Sequence, residues 1–344
     1  MLTRYDACRD DIASLLQGEP RYRVEQIWQG LYRRHLDPAE MTDLPLSVRE
    51  TLSQNFPPAL RQVSTRSSTN GDTIKWLWGL RDGVRIETVL MRYSSRTTVC
   101  VSTQAGCGMG CGFCATGQAG FERNLTIGEI VEQVVRAARA SGAQRVSNVV
   151  FMGMGEPFAN FSATWAGLLR INRDMGIAAR KITLSTVGVV PGIRRLAALR
   201  SQVGLAVSLH AADDSLRDEL VPLNRRYPLV MLADACREYC VRTGRRLSFE
   251  WAMIDGTNDS QSDAEKLAAY AAPLQAHVNL LPLNPTPGSS ARGSPPERIR
   301  LFRDNLRSRG VNTTIRHSRG VDMDAACGQL RAGVSTATGR PRRT

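Results

Sequence analysis

Apolar positions follow two different periods along this chain. From Tyr22 to His35, Val24, Ile27, Trp28 and Leu31 recur at spacings of three and four, the stripe of a helix with one buried face. The first 85 or so residues carry such helical stretches and no alternation of strands with helices, so a small helical domain is predicted there. From Thr65 to Asp82, Asn70-Gly71 lies between two short runs and Asp82-Gly83 closes the second, which reads as hairpin punctuation joining that domain to the rest.

Beyond it the pattern changes. Apolar, β-branched runs near Thr98 to Ser102, Val146 to Met152, Lys181 to Thr186, Gly204 to Leu209, Leu247 to Met253 and His277 to Leu283 read as strands. Between them the stretches Thr126 to Ala140, Phe161 to Met175, Pro191 to Leu199, Leu229 to Arg242 and Asp263 to Ala271 read as helices. A further helix, Pro296 to Arg309, and a short run, Thr313 to Arg316, follow. Six strand–helix units in series imply an α/β fold: a parallel sheet with right-handed crossovers, curled into a partial (β/α)6 barrel. The expected division is a helical accessory domain over residues 1–90, a core barrel over 91–318 and a C-terminal loop and basic tail over 319–344. Reactive groups in such folds collect at the C-terminal ends of the strands.

Composition narrows the class. The chain has 344 residues, 42% of them hydrophobic, which excludes a disordered protein and allows a large core. No stretch reaches the ~18 consecutive apolar residues of a membrane span, and the first residues hold no apolar signal core, so a soluble cytoplasmic protein, expected to be a monomer, is the reading. Lys+Arg 45 against Asp+Glu 32 give a net charge of +13, which favours a polyanionic partner. The terminal Arg340, Arg342 and Arg343 also fit a solvated end.

The cysteines carry more chemistry than the charge. Of eight, Cys107, Cys111 and Cys114 form a C-x-x-x-C-x-x-C run on a glycine-rich loop directly after the first of the six strands. Without an export signal a disulfide framework is disfavoured, and clustered thiols point to metal or redox chemistry. Structural zinc takes four closed ligands, and no fourth Cys or His lies nearby, whereas a [4Fe–4S] cube held by three thiolates keeps one iron open. An open iron can chelate the amino and carboxylate groups of S-adenosylmethionine and pass an electron to its sulfonium. Cys236 and Cys240, four apart on a predicted helix, read as packing residues, and Cys8 has no assigned role.

That run resembles the radical S-adenosylmethionine (SAM) superfamily. The segments GCGMGCGFCATGQAGFERNLT, FMGMGEPFAN, STVGVVPGI, SLHA, LLPLNP and DMDAACGQL, with RYRVEQIW near the N-terminus, occur in the order found in the RlmN and Cfr families of RNA adenine methyltransferases. The resemblance covers essentially the whole chain, and Pro157 with Phe121 to Asn124 favours the C2-methylating RlmN branch. It implies cofactor contacts at Gly155, Glu156, Ser185, Ser208, Leu209, His210 and Asn284. It also implies a working pair of thiols, Cys327 and Cys100. Cys327 takes a methyl group from one SAM, a radical made from a second SAM converts it to a methylene radical that adds to the base, and Cys100 then forms a disulfide that frees the product. Glu87 corresponds to the base that removes the C2 proton.

By the same resemblance the substrates are an adenosine in the peptidyl-transferase loop of 23S rRNA and the adenosine 3′ of the anticodon in some tRNAs. A low-potential donor such as a flavodoxin or ferredoxin supplies electrons, and a thiol reductant resets the disulfide. The target base must leave its stack, and Arg21, Arg23, Arg33 and Arg34 are candidates to grip the backbone. Three other readings remain open at this point: C8 methylation of the same adenosine, radical chemistry on a protein or small molecule, and a non-catalytic RNA-binding module with a structural metal.

Overall fold

A computed structural model describes residues 2–142, 144–286, 289–316 and 328–330. Three helices open the chain: α1 (Arg9–Leu15), α2 (Tyr22–Tyr32) and α3 (Leu46–Asn55). Three strands follow, β1 (Arg61–Ser67), β2 (Thr73–Gly79) and β3 (Arg85–Arg92), with the expected turns at Asn70-Gly71 and Asp82-Gly83 between them. They pair antiparallel with one another, and β3 pairs antiparallel with β4 (Thr97–Cys100). The sheet therefore runs without a break across residue 90, and helices fill only the first 55 of the residues predicted to form a helical domain. β1 escaped the reading because all seven of its residues are exposed, so it has no alternation of apolar and polar positions.

The barrel itself follows the predicted order. After β4 come a short ribbon of β5 (Gln104–Gly106) and β6 (Phe121–Asn124) with α4 (Ala115–Gln118) between, then α5 (Ile127–Ser141), β7 (Asn148–Phe151), α6 (Phe161–Arg173) and β8 (Ile182–Thr186). Next are α7 (Val190–Ala198), β9 (Gly204–Ser208), α8 (Asp214–Leu220), α9 (Leu229–Thr243), β10 (Ser248–Met253) and α10 (Gln261–Ala271). The series ends with β11 (His277–Pro282), α11 (Pro296–Ser308) and β12 (Thr313–Ile315). Strands β4, β7, β8, β9, β10, β11 and β12 pair parallel in that order, so the short run after the last helix extends the six expected strands by one. Among the described residues β12 and β1 each have only one neighbour, and the barrel stays open.

Local chemistry fixes the helix ends. Thr126 accepts the Glu129 N–H while Glu129 reaches back to the Thr126 N–H at 2.9 Å, a capping box that starts α5; Ser260 and Asp263 do the same for α10. Helix α9 ends at Gly244, whose φ of +65 suits glycine. The N-terminal helices dock on the outside of α5 and α6. There the Asp6 carboxylate accepts the Gly128 N–H at 2.7 Å in the first turn of α5, and Arg170 on α6 donates to the backbone oxygens of Tyr5 and Ala7. One apolar core runs from Tyr5 and Trp28 through Ile130 and Val134 to Val278. Among the described residues no helix is long and apolar enough to cross a membrane.

Candidate active site

Parallel strands put all their C-terminal ends on one rim, and the residues singled out above meet there. A cavity of about 460 Å³ is lined by Cys107, Cys111 and Cys114 from the loop after β5, and by Gly155 and Glu156 after β7. Ser185 at the end of β8, Ser208 and His210 at the end of β9, Asn284 after β11, and Cys100 at the end of β4 also line it. Two predicted residues stay out of it. Leu209 is wholly buried in the apolar core and meets the site only through its backbone, whose N–H donates to the Glu250 carbonyl at 3.0 Å. Glu87 on β3 forms a buried ion pair, its Oε1 lying 3.2 Å from Lys75 Nζ. It shares its strand face with Val89 and Met91, which do line the cavity. Cys327, Arg340, Arg342 and Arg343 lie outside the described residues. Gly328, the next residue after Cys327, lines the cavity, and its carbonyl accepts the Ala115 N–H at 2.8 Å in the first turn of α4.

The cysteine loop is folded tightly. Gly106 has φ +70, and a Cβ there would run into the Gly120 carbonyl oxygen, so only glycine lets the chain fold back on the β5–β6 ribbon. Cys107 N–H donates to that same oxygen at 2.7 Å, and Cys114 N–H donates to Cys111 O at 3.1 Å. Burial pushes the Cys107 thiol up to about 11 and the Cys111 thiol up further. Both therefore stay protonated at neutral pH until a metal takes the place of the proton. Among the described residues no three His, Cys, Asp or Glu groups close round a single ion. The three thiols instead line one cavity, a donor set that fits a cluster three of whose irons each take one thiolate.

The rest of the rim is braced by buried polar groups. Glu156 accepts the Phe158 N–H at 3.0 Å and the Val187 N–H at 2.9 Å, tying the β7–α6 loop to the β8–α7 loop; burial still raises its pKa to about 7. His210 has φ +60 and its Nδ1 accepts the Ala252 N–H at 3.0 Å, so any ring proton sits on Nε2. Burial, helped by the Arg217 charge, lowers its pKa to about 3, which keeps the imidazole neutral. Phe113 packs edge-on against that ring at 4.7 Å, joining the cysteine loop to the end of β9.

Sequence reasoning missed Arg217. Its guanidinium is buried, donating from Nε to Leu209 O at 3.0 Å and from its two terminal nitrogens to Asn224 Oδ1 at 2.7 Å and Val187 O at 2.6 Å. Glu156 and Arg217 thus hold the N–H and the carbonyl of the same residue, Val187. No local pattern marks an arginine in a short helix whose acceptors are carbonyls of distant loops. Replacing Arg217 by methionine leaves those acceptors dry, and urea unfolding of the metal-free protein should show a loss of roughly 3 kcal/mol or more. An unchanged midpoint would remove Arg217 from its bracing role.

Of the arginines proposed to grip RNA, three have internal partners. Arg23 donates to Gln26 and Asp43, Arg33 to the Arg173 carbonyl, and Arg34 to the Asp43 carboxylate, while Arg21 is exposed. Two cations not singled out, Arg96 and Arg316, line the cavity.

Known proteins fit this arrangement. The radical SAM superfamily profile matches residues 101–280. The probable dual-specificity RNA methyltransferase RlmN of Frankia casuarinae is 51% identical, the alignment spanning 100% of this chain and 84% of the relative. The protein of that name from Chloroflexus aurantiacus is 48% identical over 95% of this chain and 92% of its own length. The crystal structure of a radical SAM methyltransferase from Sphaerobacter thermophilus superposes with a TM-score of 0.94 at 50% identity, covering 97% of this chain and 100% of that one. The chain belongs to the radical SAM superfamily and, within it, to the RlmN family of RNA methyltransferases, enzymes that work with a [4Fe–4S] cluster and S-adenosylmethionine.

Proposed function

We propose that this enzyme methylates C2 of an adenosine in the peptidyl-transferase loop of 23S rRNA, and the adenosine 3′ of the anticodon in some tRNAs, in the cytoplasm. One observation carries the reading: Cys100 and the residue following Cys327 line the same cavity as the three cluster thiols. Radical chemistry begun at Cys107, Cys111 and Cys114 therefore starts in a cavity that Cys100 and the neighbour of Cys327 both line, a thiol pairing that radical chemistry on a small molecule or a structural metal leaves without use.

The cluster, when bound, supplies the electron that breaks a C–S bond of the SAM sulfonium. The protein's own residues do the rest. Glu156, buried and anchored by two backbone N–H groups, is a carboxylate for the ammonium of the cofactor, and a cation beside it would draw its raised pKa back down. Neutral His210 offers Nε2–H as a fixed donor. Cys327 takes the methyl group as a thiolate, Cys100 resolves the Cys327–base link, and Glu87, set by Lys75, accepts the C2 proton. A flavodoxin or ferredoxin as electron donor, a thiol reductant and a monomeric state complete the proposal.

Mass spectrometry of nucleosides from 23S rRNA treated with the reconstituted enzyme should show 2-methyladenosine. Recovery of 8-methyladenosine would move the chain to the C8 branch. A colourless zinc protein that binds RNA and consumes no SAM would end the enzymatic reading.

A further inference from the structure

Among the described residues, the cavity lining holds one acidic side chain with no part in the chemistry above. Glu250 sits on β10, in register with Ser208 on β9 and Asn279 on β11, and it lines the cavity although only 6% exposed. Ser208 is one of the residues assigned to the cofactor, and Ala252, two positions along the same strand, donates to His210 Nδ1. Glu250 is thus one step deeper in the barrel than the His210 shelf.

Its hydrogen bonds are lopsided. Ser248 Oγ donates to Oε1 at 2.9 Å and Asn279 Nδ2 donates to the same Oε1 at 2.8 Å. Asn279 is steadied in turn by His277, whose Nε2 lies 3.2 Å from Asn279 Oδ1. Among the described residues no cation pairs with Glu250 and nothing donates to Oε2. A buried carboxylate needs donors, and two polar side chains converge on one oxygen while the other is left to whatever enters the cavity. The cavity it faces is lined by apolar Val150, Ala252 and Leu281 and by polar Ser208, Thr183 and Asn148. The cavity volume of about 460 Å³ suits a nucleoside-sized occupant, whose hydroxyls and exocyclic amine are donors while a carboxylate only accepts.

We propose that Glu250 is a nucleoside-reading residue, its Oε2 accepting a hydrogen bond from a ribose hydroxyl or exocyclic amine of a nucleoside seated in the barrel. The inference rests on the methyltransferase reading, which brings two nucleosides to this cavity, the adenosyl part of SAM and the target adenosine.

Glu250→Gln tests it cleanly. The amide oxygen keeps both bonds from Ser248 and Asn279, and only the open position changes from acceptor to donor. Two affinities of the anaerobically reconstituted enzyme are measured: SAM by calorimetry without RNA, and a target hairpin by fluorescence anisotropy. The hairpin carries adenosine, 2′-deoxyadenosine or purine riboside at the target position. A charge-assisted hydrogen bond lost in this way weakens binding by about ten- to hundredfold. If the adenosyl group of the cofactor is read, SAM affinity drops by that amount. If the target adenosine is read, E250Q loses the preference of the unsubstituted enzyme for adenosine over one of the two analogues. Unchanged SAM affinity together with unchanged discrimination among the three RNAs overturns the proposal. Should E250Q fail to fold, Ser248→Ala, which frees Oε1 from one anchor, must shift the same readouts in the same direction, and no shift overturns it. Both readouts are equilibria, so an enzyme that binds as expected yet methylates no RNA would count against the proposed function and leave the Glu250 assignment standing.

Discussion

Cys111→Ala is expected to strip the enzyme of its iron and reduce methyl transfer to background. Cys111 is the buried middle cysteine of the three, its carbonyl accepts the Cys114 N–H at 3.1 Å, and glycines flank it on both sides. Removing its sulfur leaves two thiols for a cluster that needs three, and no fourth Cys or His of the loop can stand in. Iron and acid-labile sulfide per chain, together with 5′-deoxyadenosine formed from SAM under reducing conditions, should all fall to the level of unreconstituted protein. Cys236→Ala is the matching control. That thiol is fully buried on α9 away from the cavity, so its loss should cost about 1–2 kcal/mol of stability and no iron. Full iron content in the Cys111 variant would mean that the C-x-x-x-C-x-x-C run does not carry the cluster.

The parts of this site legible in the sequence are those whose chemistry is local. Three cysteines within one turn-rich loop announce themselves by spacing, and the parallel strands by runs such as Val146 to Met152 that are apolar on both faces. Strands β1 to β3 were not legible as part of the barrel, because β1 is exposed on both faces and because pairing of β3 with β4 joins segments that belong to different periodic patterns. Leu209 lies between two inward-facing positions at the strand end, so its side chain points to the other side, into the core, and leaves only its backbone at the rim. Arg217 and Glu250 were invisible for the opposite reason. Each takes its meaning from groups brought together only by folding: the carbonyls of two loops for Arg217, and an Asn from the next strand for Glu250.

Cys100→Ala should convert a turning-over enzyme into one that stops with RNA attached. Cys100 ends β4, faces Val89 across the β3–β4 pair and lines the cavity beside the cluster thiols, so the substitution removes one sulfur atom from a site already open to ligand. Loss of that small apolar volume costs little stability, and under the proposed mechanism loading of Cys327 and radical formation use other residues. What disappears is the thiol able to take the Cys327 sulfur away from the base. Each chain should then complete at most one event and keep the RNA through a thioether link, visible as a slowly migrating, nuclease-sensitive band on a denaturing gel. Cys327→Ala in the same background should remove the band, because no methyl group is ever loaded. Multiple turnovers by the Cys100 variant would show that the base is freed without it, and its place in the cavity wall would then reflect packing alone.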